Sequence, residues 1–295
     1  VSGSAVTTLD RLRADLRTYA GLCEAPYDAA VVDPVLETLA DAWTNSVVGV
    51  RTTTHAVPDR EVNARVQYPG PAPELIERLR AAEFLEYVGH PMESLLDAIL
   101  GMPVAGAVDL ALGRGVQKVW FVLGRTLPVA EALALPGIPD AARGHADHLE
   151  RYGGQVGIVA LDFPARTMNL YSQVLTPEVI TAADITTMLA DLGLVPATEA
   201  ELALFAGTFN VYRTFSWDAA HTVRVCFPRR VEAGTLPGDL DPVLAAFATG
   251  PVAAPERRHT VYAAYGPADR YYKIQTEYTS TLGAAFPGGT APQIR

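Results

Sequence analysis

Apolar and polar residues recur along this chain in two alternating periods. Helical spacing opens at Thr7 or Thr8, where a capping hydroxyl precedes Leu9, Leu12, Leu16 and Tyr19. A second helix is expected to start at Asp33-Pro34, a cap followed by a first-turn proline. The period then falls to two: residues 46–54 and 61–68 are rich in Val and Thr and flank a turn carrying Pro58 and Asp59. Helices return at 73–84 and 91–100, followed by strands at 105–112 and 117–123 around Gly113-Arg114-Gly115. The order repeats as helices 127–135 and 141–152 with strands 155–162 and 166–174, then helices 177–192 and 199–205 with strands 208–217 and 222–227. A helix near 241–247 precedes strands 259–266 and 271–279. Five helix-helix-strand-strand units result. A period of about 50 to 60 residues kept five times marks an internal structural repeat within one domain spanning 1–295. Short connections make consecutive strands antiparallel.

Ten such strands form either an open sheet with its polar face in water or a closed barrel with that face inside. Strand parity puts Asn63, Arg65 and Gln67 opposite Val62, Ala64 and Val66, and Lys118 and Trp120 opposite Val119 and Phe121. Thr167, Asn169 and Tyr171 oppose Met168 and Leu170; Asn210 and Tyr212 oppose Phe209 and Val211; Arg224 opposes Val223 and Val225. Tyr271, Lys273, Gln275 and Glu277 complete the polar side. A solvated face mixes Lys with Glu. This one gathers Arg51, Arg65, Lys118, Arg224 and Lys273 among large aromatics, with few acids besides Asp109 and Glu277. Closure also removes the sheet edges and lets outer helices bury the apolar face. The expected fold is therefore α+β: a closed ten-stranded antiparallel barrel surrounded by helices, with room inside for a ligand.

Composition narrows the ligand. The chain has 295 residues, 49% apolar and 19% charged, enough for a sizeable core and against disorder. Its 33 acidic and 23 basic side chains give a formal charge of −10, which repels a nucleic-acid backbone. A basic cluster inside so acidic a chain is thus a specific device. Cys23 and Cys226 sit among apolar neighbours without metal-ligand spacing, and no apolar run is long enough to span a bilayer. These features, and the absence of a leader pattern in the first residues, predict a cytoplasmic chain, with a monomer as the default state. Five cations on separate strands suit a diphosphate of about −3 charge. Indole and phenol rings shield a carbocation through their negative faces, at about 0.5–2 kcal/mol per ring. An allylic diphosphate, which ionises to both charges, answers both features.

Several stretches then resemble a known family: Gly89-His90-Pro91 before Leu95-Leu96, Gly113-Arg114-Gly115 with Lys118 and Trp120, and Met168-Asn169-Leu170-Tyr171. Val211-Tyr212, Ser216-Trp217, Arg224-Val225-Cys226-Phe227 and Tyr271-Tyr272-Lys273 continue the match in order over nearly the whole chain. They resemble the bacterial ABBA-type aromatic prenyltransferases of the NphB and CloQ group. The resemblance implies a barrel of α-β-β-α repeats (a PT barrel) and prenyl transfer, with dimethylallyl as the expected donor group, onto an electron-rich aromatic small molecule of secondary metabolism.

By the same resemblance Lys118, Asn169, Tyr212, Arg224 and Lys273 hold the diphosphate, Trp120 lines the prenyl chain, and Arg51 and Arg65 match basic positions of metal-independent members. Tyr171 and Tyr271 join Trp120 around the allyl cation. Asn63 stands where magnesium-using members have an aspartate; an amide is a poor substitute, so no divalent metal or other cofactor is expected. Where relatives carry a further basic residue this chain has Pro164 and Ala165, and Arg166 compensates only if its strand starts late or bulges. Glu277 replaces an aromatic of some relatives; it either orients the acceptor or takes its ring proton, or forms a salt bridge to a lumen cation. Asn210 and Gln275 point to a hydrogen-bonding acceptor.

Competing chemistries lack support. No DDxxD cluster, Walker A, GxGxxG or GxSxG pattern occurs, and Asp239 and Asp241 read as a turn and a helix cap. His145 and His148 read as a solvated helix face, and His90 as a helix-entry turn. A triphosphate tunnel hydrolase needs more strand glutamates. A non-catalytic carrier of an aromatic or isoprenoid product needs no buried cations, which are costly without an anion.

Overall fold

The computed structural model describes residues 7–173, 179–232, 236 and 240–279. The strands are β1 (Val48–Thr53), β2 (Val62–Pro71), β3 (Val104–Ala111), β4 (Gly115–Pro128) and β5 (Gln155–Asp162), then β6 (Thr167–Gln173), β7 (Asn210–Ser216), β8 (Thr222–Glu232), β9 (Arg258–Tyr265) and β10 (Arg270–Glu277). Each pairs antiparallel with its sequence neighbour, and β1 pairs with β10 at Arg51 opposite Gln275, closing the barrel. Closure leaves no free edge.

Eleven α-helices lie among the described residues, all outside the wall: α1 (Leu9–Leu22), α2 (Ala29–Thr38), α3 (Ala40–Asn45), α4 (Ala72–Ala81), α5 (Met92–Leu100), α6 (Val129–Leu133), α7 (Asp140–Gly144), α8 (Ala146–Arg151), α9 (Ala182–Asp191), α10 (Glu199–Phe205) and α11 (Pro242–Ala248). The five units carry three, two, three, two and one of them. Their apolar stripes, such as Leu12, Leu16 and Tyr19 of α1 or Leu75, Ile76 and Leu79 of α4, pack on the outward strand residues as one core. A second, small apolar cluster of Trp120, Ile158, Tyr171, Tyr212, Cys226 and small alanines lies inside the barrel. Cys23 and Cys226 are free and buried, and no described helix is long and apolar enough to cross a membrane.

Thr8 caps α1 as expected, its hydroxyl accepting from the Arg11 N–H. Other boundaries differ. Helix α2 starts four residues before Asp33, because the Asp28 carboxylate accepts from the Ala30 N–H and supplies the cap; Pro34 lies inside the helix. The helix expected over 141–152 breaks at His145 into α7 and α8. His148 is not solvated: it is buried with Nε2 3.3 Å from Arg213 Nε, and burial holds the imidazole down at about 3. Arg213 faces outward from β7 into the same pocket, donates to Ser172 Oγ and the Tyr152 carbonyl, and has its pKa lowered by burial to about 9.

Part of the helix expected over 177–192 lies outside the described residues; α9 begins at Ala182, where Thr181 and Asp184 form a capping box. Asp241 caps α11 as expected, whereas Asp239 lies outside the described residues. Arg166 sits exposed in the β5–β6 turn at φ 49, so it does not stand in for the missing basic residue. Because β7 begins at Asn210, Phe209 precedes the strand and borders the lumen as well as an outer groove at the start of α9.

Candidate active site

The inward residues line two adjoining cavities. The one toward the strand-turn end is polar, lined by Lys118, Asn169, Arg224, Tyr271 and Lys273 together with Asn63 and Asp162. The one toward the helix-connection end is apolar, with about 1000 Å³ of empty space, open solvent at its mouth included; Trp120, Val122, Ile158 and Tyr262 line it. Arg51, Tyr171 and Tyr212 border both. Residues from nearly every strand meet there because period-two alternation aims every second side chain inward and closure brings distant strands face to face.

Charges are paired along one side of the wall. Arg65, Asp109, Lys118 and Asp162 occupy directly opposed positions on β2 to β5 and alternate in sign. The Asp109 carboxylate accepts four bonds: from Arg65 Nε at 2.7 Å and Nη2 at 3.2 Å, from Arg51 Nη2 at 3.2 Å and from the Trp120 indole N–H at 3.0 Å. Burial alone would raise this carboxyl, but Arg65 and Arg51 outweigh it and hold it well below the usual carboxylate range. Lys118 Nζ lies 3.2 Å from Asp162 Oδ2.

On the opposite side the cations meet neutral groups. Arg224 Nη1 donates to Tyr271 Oη at 2.8 Å and Nη2 to Thr214 Oγ1 at 3.3 Å, while its Nε has no partner. Lys273 Nζ donates to Tyr212 Oη at 2.9 Å and lies 3.6 Å from Cys226 Sγ. Burial pushes the Lys273 ammonium well below its ordinary value. Cys226, read from sequence as a plain apolar filler, is thus a lumen neighbour of a cation. Among the described residues neither Arg224 nor Lys273 has a carboxylate within ion-pair distance.

An aromatic ladder links the cavities. Trp120 and Tyr171 have ring centroids 4.9 Å apart, and Tyr171 stacks on Tyr212 at 4.4 Å. Arg65 lies 3.6 Å over the Trp120 ring and borders the apolar cavity; the structure does not bring it into the polar cluster with which the sequence grouped it. Tyr271 lines the polar cavity only.

Glu277, Gln275 and Asn210 all line the apolar cavity. Glu277 is 4% exposed; burial raises its pKa against the opposing pull of Gln275 and Arg65, and among the described residues it forms no salt bridge to a lumen cation. Asn210 Oδ1 and Gln275 Oε1 are buried without a partner. Gly49 makes room for this group, since a Cβ there would lie 3.3 Å from Gln275 Nε2.

Few oxygens of the described donor set are free to hold magnesium. Asn63 offers a neutral amide, both Asp109 oxygens are filled by N–H donors, and Asp162 serves Lys118 and the Ala165 N–H. Among the described residues no three His, Cys, Asp or Glu side chains cluster as metal ligands.

Sequence reasoning missed Asp162, His55, Arg230, Thr260 and Tyr262 as lining residues. Parity signalled Thr260 and Tyr262, which alternate with Val261 on β9. No local pattern signalled His55, which lies in a loop.

The family model described as aromatic prenyltransferase Orf2 matches residues 7–288. Flaviolin linalyltransferase of Streptomyces virginiae is 25% identical over 301 residues, covering 97% of this chain and 99% of the relative. The 5,10-dihydrophenazine-1-carboxylate 9-dimethylallyltransferase of Streptomyces anulatus is 25% identical over 259 residues, covering 85% of this chain and 87% of that enzyme. In fold the chain is similar to 5-dimethylallyl tryptophan synthase of Streptomyces coelicolor, with a TM-score of 0.56 at 13% identity over 98% of this chain and 97% of that one.

Proposed function

This chain belongs to the aromatic prenyltransferase Orf2 family, and from that premise we propose how its two cavities divide the transfer of a prenyl group from an allylic diphosphate to an aromatic ring. The polar cavity holds the diphosphate through Arg51, Lys118, Asn169, Tyr212, Arg224 and Lys273. The observation that carries this assignment is the pair Arg224 and Lys273: cations inside the wall that donate only to neutral groups, one with an unused N–H. Such groups stay costly until an anion arrives.

The C1–O bond of the donor breaks, and its electron pair goes to the departing diphosphate. Trp120, Tyr171 and Tyr212 border the path of the allyl cation, with Tyr271 on the phosphate side. The aromatic acceptor occupies the apolar cavity and its ring carbon attacks C1. Glu277 accepts the ring proton or holds an N–H or O–H of the acceptor; its raised basicity suits either role. Catalysis comes from positioning and fixed charges, without a divalent metal.

For the donor we favour dimethylallyl, by the resemblance to the metal-independent members of the group and by the dimethylallyltransferase among the relatives. The relatives are named for linalyl and dimethylallyl transfer, so the chain length is tested directly. The enzyme is incubated with dimethylallyl or geranyl diphosphate and with flaviolin or 5,10-dihydrophenazine-1-carboxylate, and pyrophosphate and product masses are followed. Higher kcat/KM with dimethylallyl diphosphate is expected. Faster turnover of the geranyl donor overturns the chain length, and binding of the aromatic with no pyrophosphate release from either donor overturns the catalytic reading.

A further inference from the structure

His55 lies between β1 and β2, at the rim of the polar cavity it helps to line. Its loop is held in place: Arg60 Nε donates to the His55 carbonyl at 3.0 Å, and Arg60 Nη1 donates to the Cys23 carbonyl at 2.8 Å. The imidazole packs on the Tyr271 ring at a centroid distance of 3.9 Å, and Tyr271 Oη accepts from Arg224. The ring is thus seated beside the two cations that lack carboxylate partners. Building on the reading of this cavity as the diphosphate site, we propose that His55 is a further ligand of the diphosphate, engaging it as an imidazolium, so that donor binding takes up a proton from solution.

The groups facing His55 set the sign of the effect. Tyr271 and Lys273 approach from β10, Arg224 from β8, Asp269 from the β9–β10 turn and Asp59 from the turn before β2. Glu61 on the same rim is engaged by Arg114 at 2.9 Å. Burial and the Lys273 and Arg224 charges lower the imidazole pKa, against the opposing pull of Asp269 and Asp59. A diphosphate reverses the sign of that local field and favours the charged ring. The affinity gain from His55 is present at pH values low enough to protonate the ring in the complex and is lost as pH rises above that point. No covalent step is added. The proton bound with the donor returns to solvent when pyrophosphate leaves and Lys273 and Arg224 again dominate over Asp269 and Asp59.

The test is calorimetric titration of the wild-type protein with inorganic pyrophosphate, without metal, in buffers of contrasting ionisation enthalpy near neutral pH. His55→Gln and His55→Asn are measured in parallel. The ligand's own titration is common to all three proteins and cancels in the difference. Wild type is expected to take up at least about half a proton more than either variant. The variants should bind about tenfold more weakly near pH 6.5 and less than about threefold more weakly near pH 9. The His55 ring resonance should titrate at higher pH once pyrophosphate is added. Equal proton uptake in all three proteins, or an unmoved ring titration, overturns the proposal while leaving the diphosphate site in place. Failure of pyrophosphate to bind the wild-type protein overturns both.

Discussion

The two sides of the barrel wall treat the same kind of residue in opposite ways. From β2 to β5 the lumen charges alternate, and Arg65 and Lys118 each face a carboxylate, which also engages Arg51 in the case of Asp109. From β7 to β10 Arg224 and Lys273 face hydroxyls, a thiol and rings. The paired side is held by its own carboxylates, although Arg51 and Lys118 still border the polar cavity, and it holds Trp120 in place through its indole N–H. The unpaired side leaves two cations that an anion would satisfy. A buried cation is therefore informative about ligands once its carboxylates have been counted, and on this criterion Arg65 and Arg224 part company although both are lumen arginines.

On the paired side, damage is expected to fall first on folding. Asp109→Asn strands the Arg65 and Arg51 guanidiniums and should cost about 3–5 kcal/mol of stability, read by denaturant unfolding. The folded Asp109 carboxyl lies below its unfolded value of about 3.9, so its contribution is full above that pH and is lost as pH falls through the folded value. The acid limb of the wild-type stability profile should flatten in the variant. A variant as stable as wild type would remove the distinction between the two sides.

On the unpaired side the ordering reverses. Arg224→Ala or Lys273→Ala should lower kcat/KM about 10²–10³-fold with little loss of thermal stability, because each removes a charge that faces only neutral groups. Unchanged turnover would mean that neither cation meets the diphosphate.

A smaller effect is expected where the apolar cavity holds a lone acid. Burial raises the folded pKa of Glu277 above its unfolded value, so the stability it contributes is present at low pH and lost as pH rises through the folded value. Glu277→Gln should therefore melt higher than wild type at pH 8 and equally near pH 4, while turnover falls and loses its acid limb. A melting difference of the opposite sign would place a cation on this carboxylate. Smallest of all is the effect of chelation. With all phosphate-facing charge supplied by side chains, EDTA should change turnover less than about twofold; full loss restored by magnesium would return a metal to the site.

Much of this is legible in the amino-acid sequence. Period-two alternation placed Arg51, Lys118, Asn169, Arg224, Lys273 and Glu277 on the inner face, since parity is a local property of an extended chain. Caps were legible where a side chain meets its own turn, as at Thr8 and Asp241. Local signals misled where a tertiary contact decided: Pro34 inside α2, the burial of His148 against Arg213, and Phe209 bordering the lumen ahead of β7.

The amino-acid order by itself determined the five-fold alternation of helices and strand pairs, the inward set of residues and, through the basic and aromatic character of that set, the class of ligand. Only the tertiary structure decided which cation meets which carboxylate. Arg51 and Asp109 are 58 positions apart, and Lys273 and Tyr212 are 61 apart. Register, tilt and closure bring such pairs together, and these arise from contacts between strands distant along the chain, on which no local period carries information.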